Sequence, residues 1–186
     1  MSGLEDALTA DAPPPKRRPA RTFATDRIAT YPSAALRAVP SFTFEVPDGW
    51  VVDESPDALA VAVIPEPVDG FWVNAIISTD RVHHKLDLRT AAASTLAGLK
   101  KQCPDAEVKT ERLAQLGGHE TYLRVVQMTA PRTGRALAQT HGLVLTKAAA
   151  GAKTIDLFQI VGTCPADTFR EHGTRFVELI ASFRVV

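Results

Sequence analysis

Only two cysteines, Cys103 and Cys164, occur in 186 residues. One bridge would not staple a domain of this size, so a disulfide framework is excluded and two reduced, partly buried thiols are expected. No apolar run approaches the roughly 20 residues that cross a bilayer as a helix. The opening stretch MSGLEDALTADAPPP lacks the basic and apolar regions of an export signal, and a cytoplasmic location is expected. Net charge is absent too, since 21 Lys and Arg balance 21 Asp and Glu. No global field draws the chain to nucleic acid or to an anionic membrane, so an electrostatic partner must be recognised locally. Catalytic signatures are missing as well: there is no G-x-S-x-G elbow, no P-loop and no G-x-G-x-x-G. The single Gly-Gly, Gly117-Gly118, sits between strand patterns and not where a strand meets a helix to hold phosphate. No catalytic residue and no cofactor are expected.

What is present is a composition, 45% hydrophobic and 23% charged, that suits one globular domain with a substantial core. Residues 1–38 differ from the rest. They carry six of the 21 basic residues and a proline cluster, with few large apolar side chains at any regular spacing. Such a stretch cannot bury enough surface to offset ordering, so it reads as a mobile tail ahead of a domain over 39–186. Within the tail, PPPKRRPAR (Pro13–Arg21) suits an acidic partner or membrane surface, with a solvated linker as the plainer reading.

Order begins at FTFEVPDGWVV (Phe42–Val52). Phe42, Phe44 and Val46 alternate with polar residues at the period of a half-buried strand. Pro47, Asp48 and Gly49 then reverse the chain before Trp50, which is placed on the sheet. Further strands are predicted over Leu59–Ile64 and Phe71–Thr79. The latter carries Phe71, Val73, Ala75 and Ile77 on one face and Trp72 and Ile76 on the other, a pattern that predicts cover on both sides. Asp87 is placed to cap a helix from Leu88 to Gln102 with the stripe Leu88, Ala92, Leu96 and Leu99, and Pro104 stops it. Strands follow over Glu107–Gln115, Thr121–Thr129, Ala138–Lys147 and Thr154–Val161, the last apolar on both faces and therefore central. A second helix starts near Pro165, with Thr163 or Cys164 as cap, and runs to Phe183. These elements predict an α+β fold, an antiparallel sheet of about seven or eight strands flanked by two long helices.

Each candidate for chemistry has a plain structural counterpart. A zinc set of His83 or His84 with His119 and Glu120 is conceivable, but adjacent histidines in extended chain point opposite ways, and no metal site is assigned. His141 shares a face with Leu137, Leu143 and Leu145 and reads as a core-edge histidine, while the other histidines read as solvated. Cys164 beside a helix N-terminus is where a helix dipole would activate a thiol, set against the frequency of small buried cysteines. Arg132 and Arg135 sit together at a hairpin tip, where they offer a contact for an anion or a partner, or are solvated loop charges. Trp50 and Trp72 read as core before ligand platform.

The turn phi-x-phi-x-V-P-x-G-W over Phe42–Trp50, the Val73-Asn74-Ala75 strand, the Leu96–Leu99 helix and Gly117-Gly118 before the paired C-terminal strands resemble the LpqN/LpqT family of actinobacterial proteins. That family belongs to the Mog1/PsbP-like fold group. The resemblance covers about residues 41–186. It implies an antiparallel sheet between helices in an α/β/α sandwich, without known catalytic residues, serving as a binding or assembly module. The sequence departs from lipoprotein members in having no N-terminal lipobox cysteine.

Two readings follow. In the first the domain is a non-enzymatic binding or assembly module for a protein partner. In the second it is a small-molecule carrier or enzyme with a pocket between sheet and helix, near the aromatic residues Trp50, Phe71, Trp72 and Phe158. The polar set of that pocket is His119, Glu120 and Arg124.

Overall fold

The computed structural model describes residues 37–186, together with Pro32. The tail predicted over 1–38 lies outside the described residues, apart from Pro32, Arg37 and Ala38. The chain divides into two units, residues 1–38 and Val39–Val186, and the second carries every element that follows.

Its elements, in order, are β1 (Phe42–Thr43), β2 (Val51–Asp53), β3 (Ala60–Val63), β4 (Asn74–His83), α1 (Leu88–Gln102), β5 (Glu107–Leu116), β6 (His119–Thr129), β7 (Ala136–Leu145), β8 (Thr154–Pro165), α2 (Phe169–Ser182) and β9 (Arg184–Val185). Seven strands form one antiparallel sheet in the order β2-β3-β4-β8-β7-β6-β5, and β1 pairs with β9 in a small second sheet. The expected α+β architecture is therefore observed. Strand β8, apolar on both faces, lies at its centre as its pattern required.

Side-chain alternation assigns the two faces. Leu123, Ala138, Val144, Phe158 and Ile160 cluster with Phe176, Leu179 and Ile180 of α2. Their neighbours Tyr122, Leu143 and Leu157 cluster with Leu88, Ala91 and Ala92 of α1. The helices thus lie on opposite faces. Each large α2 side chain buried here removes apolar area equivalent to about 1.5–3 kcal/mol. Two glycines bring α2 close: a Cβ on Gly162 would fall inside the Phe176 ring, and one on Gly142 would strike Ile180.

Local chemistry explains the ends of the elements. Asp87 caps α1 as expected, its carboxylate accepting from the Thr90 N–H at 2.9 Å and from the Thr90 hydroxyl at 2.8 Å. The Pro47–Trp50 turn closes with the Trp50 N–H donating to the Pro47 carbonyl at 3.0 Å. Gly49 at its corner has φ of 78°, a conformation that suits glycine.

Four expectations are corrected. The Phe42–Val46 strand was expected to fold back through the turn, but β1 is only two residues long and pairs with the C-terminal β9. Its aromatic ring decides this, since Phe42 stacks on Phe183 at 5.6 Å and meets Phe158 at 5.7 Å. Strand β4 is covered on its second face only at its Val82 end, because α1 packs over β6 and β7 and leaves the face at Trp72 and Ile76 open. The second helix does not begin at Pro165: β8 runs through that residue, a short 3-10 turn (Ala166–Thr168) intervenes, and α2 starts at Phe169. Finally, His172, expected in solvent, is 1% exposed, on the buried side of α2.

Candidate interaction surface

The open half of the sheet gathers the exposed apolar side chains. Registers place Val51 beside Val63 and Asn74, and Val61 beside Ile76, on the face that α1 leaves uncovered. Trp72, two residues before Asn74, and Leu59, two before Val61, continue that face by alternation. Trp72 is 53% exposed, Val51 46%, Leu59 41% and Ile76 39%. Val52, on the other side of β2, is exposed as well. Apart from Val186, every exposed large hydrophobic residue among the described residues lies between Val46 and Ile76. Gathering of this kind on one edge makes it the candidate contact surface, whereas scattered exposed apolar residues would need no explanation.

The same region is acidic. From Val39 to Asp80 the chain has eight carboxylates and no Lys, Arg or His, while residues 81–186 carry fifteen Lys and Arg against nine Asp and Glu. The zero net charge of the whole chain conceals a segment of −8. Asp53 and Asp80 lie on the open face with the apolar residues, by the registers of β2 and β4, and Glu54 and Asp57 follow β2 directly. Counting charge over the whole chain missed this; counting it by segment reveals it.

The residues singled out from sequence are scattered. Trp50 is buried and packs edge-on against Phe176 at 5.8 Å on the α2 face. Trp72 is exposed on the opposite face, a correction to its expected place in the core. His119 is half-buried, its Nε2 accepting from the Val185 N–H at 3.3 Å. Burial and then the charge of Arg184 lower its pKa. Glu120 faces solvent. Arg124 is 2% exposed beneath α1. The five do not line one cavity.

Arg124 instead anchors a buried polar network. It donates to the Ala92 carbonyl at 2.6 Å, to the Thr95 hydroxyl at 3.0 Å and to His141 Nδ1 at 3.0 Å. His141 Nε2 in turn donates to Gln139 Oε1 at 2.9 Å, and Gln139 donates to the Thr163 hydroxyl at 3.2 Å. With Nδ1 accepting from a guanidinium, the imidazole is neutral, and burial followed by the Arg124 charge holds the His141 pKa down at about 3. His141 is thus the core-edge histidine its spacing predicted. The network ties α1 to β6, β7 and β8, and among the described groups its members bond to one another, not to the exterior.

The remaining candidates resolve in the same way. Arg135 donates to the Asp69 carbonyl at 2.5 Å and so binds its hairpin to the β3–β4 loop, leaving Arg132 as the arginine of the pair that faces solvent. His84 Nδ1 donates to the Ala152 carbonyl at 2.7 Å, and His83 Nδ1 accepts from the Lys85 N–H. Among the described residues no three His, Cys, Asp or Glu side chains are grouped to hold a metal ion, so the zinc set is not assembled. Cys103 and Cys164 are both free and buried. Cys164 lies within β8 and not at a helix N-terminus, and burial raises its thiol pKa to about 11, which removes the activated-cysteine reading. On the α2 face, two adjoining hollows of about 880 and 360 Å³ share Val125 and Val177. Thr140 lines the smaller one, its hydroxyl buried without a hydrogen-bond partner.

No family model matches this sequence, and no curated protein matches it. Solved structures do. The chain is similar to LpqN of Mycobacterium tuberculosis, described as involved in cell envelope biogenesis, with a TM-score of 0.61 and 16% identity over 80% of this chain and 84% of that one. It is similar also to the cyanobacterial PsbP of Synechocystis sp. PCC 6803, with a TM-score of 0.53 and 14% identity over 78% of this chain and 86% of that one. The Pseudomonas aeruginosa protein PA94, a putative regulator, aligns with a TM-score of 0.50 and 14% identity over 72% and 94% of the two chains. At these identities the likeness shows the fold, a Mog1/PsbP-like sandwich.

Proposed function

We propose that this domain is a non-enzymatic binding module that takes a protein partner on the open half of its sheet, as a member of the LpqN/LpqT kind. The observation that carries this reading is the gathering of Val51, Leu59, Trp72 and Ile76, all exposed, on the one face of β2–β4 that no helix covers. The Mog1/PsbP-like fold supports it, as does the absorption of Arg124, His141 and Cys164 into the core. No helix among the described residues is long and apolar enough to cross a membrane. A cytoplasmic location belongs to the same proposal, and cell fractionation tests it. For the binding role, affinity capture with the full chain is compared with Trp72→Ala combined with Ile76→Ser. Loss of a specific partner in that variant, with the circular dichroism of the native fold retained, supports the proposal. Capture of the same partners by both proteins overturns it.

A second reading, a carrier of a small ligand, is favoured by one observation. The hollows beside α2 hold an apolar wall, Val125 and Val177, and one unpartnered hydroxyl, that of Thr140. Thr140→Val satisfies that site without a ligand and is expected to leave partner capture unchanged. If capture depends on Thr140 and not on Trp72, the carrier reading replaces the first.

A further inference from the structure

The sheet has two edges, β2 and β5, and only one of them is open to another strand. Strand β5 runs ten residues with Glu107, Lys109, Glu111 and Arg112 exposed. A bulge between Val108 and Thr110 breaks its register, and Lys109 bonds Glu107 across it. Charge and a bulge are the devices by which edges resist pairing. Strand β2 has no bulge, and its one charged residue, Asp53, is an anion that repels only an acidic partner. All three of its residues are exposed, two of them are valines, and its ladder bonds run to β3 alone among the described residues. Among the described residues no strand pairs with the N–H and C=O groups that point away from β3, and the apolar half-face lies directly beside them.

Building on the binding reading above, we propose that β2 receives an extended, basic partner segment that adds to the large sheet as its eighth strand, laying alternate apolar side chains over the open half-face. Main-chain hydrogen bonds supply the pairing in strand addition, and side chains at every second position supply specificity. Here one set of positions meets Val51 and its neighbours Val61 and Val63. The segment's Lys and Arg residues, at the alternate positions, meet Glu54 and, past the end of the strand, Asp57, and Asp53 adds to the negative field at that edge. The lack of any cation from Val39 to Asp80 makes the choice of sign one-sided. A second copy of this chain fits poorly, because a β2–β2 pair would bring the same carboxylates together. With only three residues in β2 the pairing gives roughly two or three main-chain bonds, so electrostatic attraction and the apolar face must supply much of the affinity.

The test uses the full chain labelled with 15N and two eight-residue peptides, one alternating valine with lysine and the other valine with glutamate. Amide exchange is followed at Val51–Asp53 and, as a reference, at β5. The lysine peptide is expected to slow exchange of the outward β2 amides by about tenfold or more at saturation and to leave β5 unchanged. Asp53→Asn combined with Glu54→Gln is expected to weaken that peptide about tenfold at low salt, and added salt to weaken it in the native chain. Equal binding of the glutamate peptide overturns the basic class of partner. Bound lysine peptide with unprotected β2 amides overturns strand addition and leaves the binding reading of the face intact. That reading fails separately, through the Trp72 and Ile76 variant described above. Concentration-dependent protection of β2 without peptide, accompanied by dimer in sedimentation, overturns the partner in favour of a second copy. Failure of the lysine peptide to bind at millimolar concentration overturns the proposal as a whole.

Discussion

The two halves of the large sheet are built from the same antiparallel ladder, yet they differ in how they are closed. From β8 to β6 both faces are covered, by α1 on one side and α2 on the other, and polar groups such as Arg124 and His141 are held by one another. From β2 to the Ile76 end of β4 only the α2 face is covered. There Val73, Ala75 and Ile77 are buried while Trp72 and Ile76, on the alternate positions, face solvent. The difference teaches that apolar residues on both faces of a strand announce two contacts, of which only one need lie within the chain. In the closed half such patterns record the core. In the open half, on the binding reading proposed above, they record a surface for another molecule.

That contrast can be broken most severely in the closed half. Gly162→Val places a branched side chain where the Phe176 ring lies and is expected to destabilise the fold by about 3 kcal/mol or more, measured by urea unfolding. An effect below about 1 kcal/mol would show that α2 is free to move off the sheet, and the closed half would not be closed. Next, Arg124→Ala leaves the Ala92 carbonyl, the Thr95 hydroxyl and His141 Nδ1 without their donor, at an expected cost of about 2–4 kcal/mol. A neutral result would mean that water replaces the guanidinium.

The third effect is a slope with pH. His141 has its pKa held at about 3 in the fold against 6.5 in the unfolded chain. The folded state thus keeps it neutral while the unfolded state takes up a proton as pH falls below 6.5. Its contribution is full above that value and is lost between pH 6.5 and 3, at up to about 1.4 kcal/mol per unit. His172, also lowered by burial, adds loss of the same sign. His141→Gln is expected to flatten the unfolding free energy over pH 4–6 by about one proton, read from urea titrations. An unchanged slope would show His141 to be charged in the fold. Asp87, whose pKa is lowered by its bonds to Thr90, acts further down, below the ordinary carboxylate value. The smallest effect belongs to the open half. Trp72→Ala and Ile76→Ser are each expected to change stability by no more than about 0.5 kcal/mol, since neither removes a buried group. A loss above 1 kcal/mol from either would place these residues in the core and erase the contrast between the halves.

Local chemistry was legible in the sequence wherever neighbours along the chain decide the outcome. The Asp87 cap, the Pro47–Trp50 turn and the central place of β8 each rest on a few adjacent residues or on one strand's pattern. What escaped was decided by distant packing. Trp72 and Val73 read alike as apolar strand residues, and only the position of α1 over β6 and β7 exposes the first and leaves the second buried. Arg124 read as a pocket residue and His172 as a solvated one, because a single position does not reveal what will pack across it. Cys164 was misplaced for a smaller reason: the strand continues four residues further than its apolar pattern, so the thiol sits in the ladder and not at a helix end. The acidity of the open half was visible throughout in the gap between Ala38 and Arg81, which holds no cation, but an overall balance of charge concealed it.

The small β1–β9 sheet has a mechanical consequence. Phe42 and Val185, close to the two ends of the folded unit, are partners in its two-residue ladder. A pull applied between the segments that lead into Phe42 and out of Val185 therefore loads those bonds one after another, as a zipper is opened, and does not shear them together. Once they part, tension reaches Phe42 itself and its contacts with Phe158 and Phe183. Under tension the first structure to yield would be this clasp, with the seven-stranded sheet and its open edge still whole behind it.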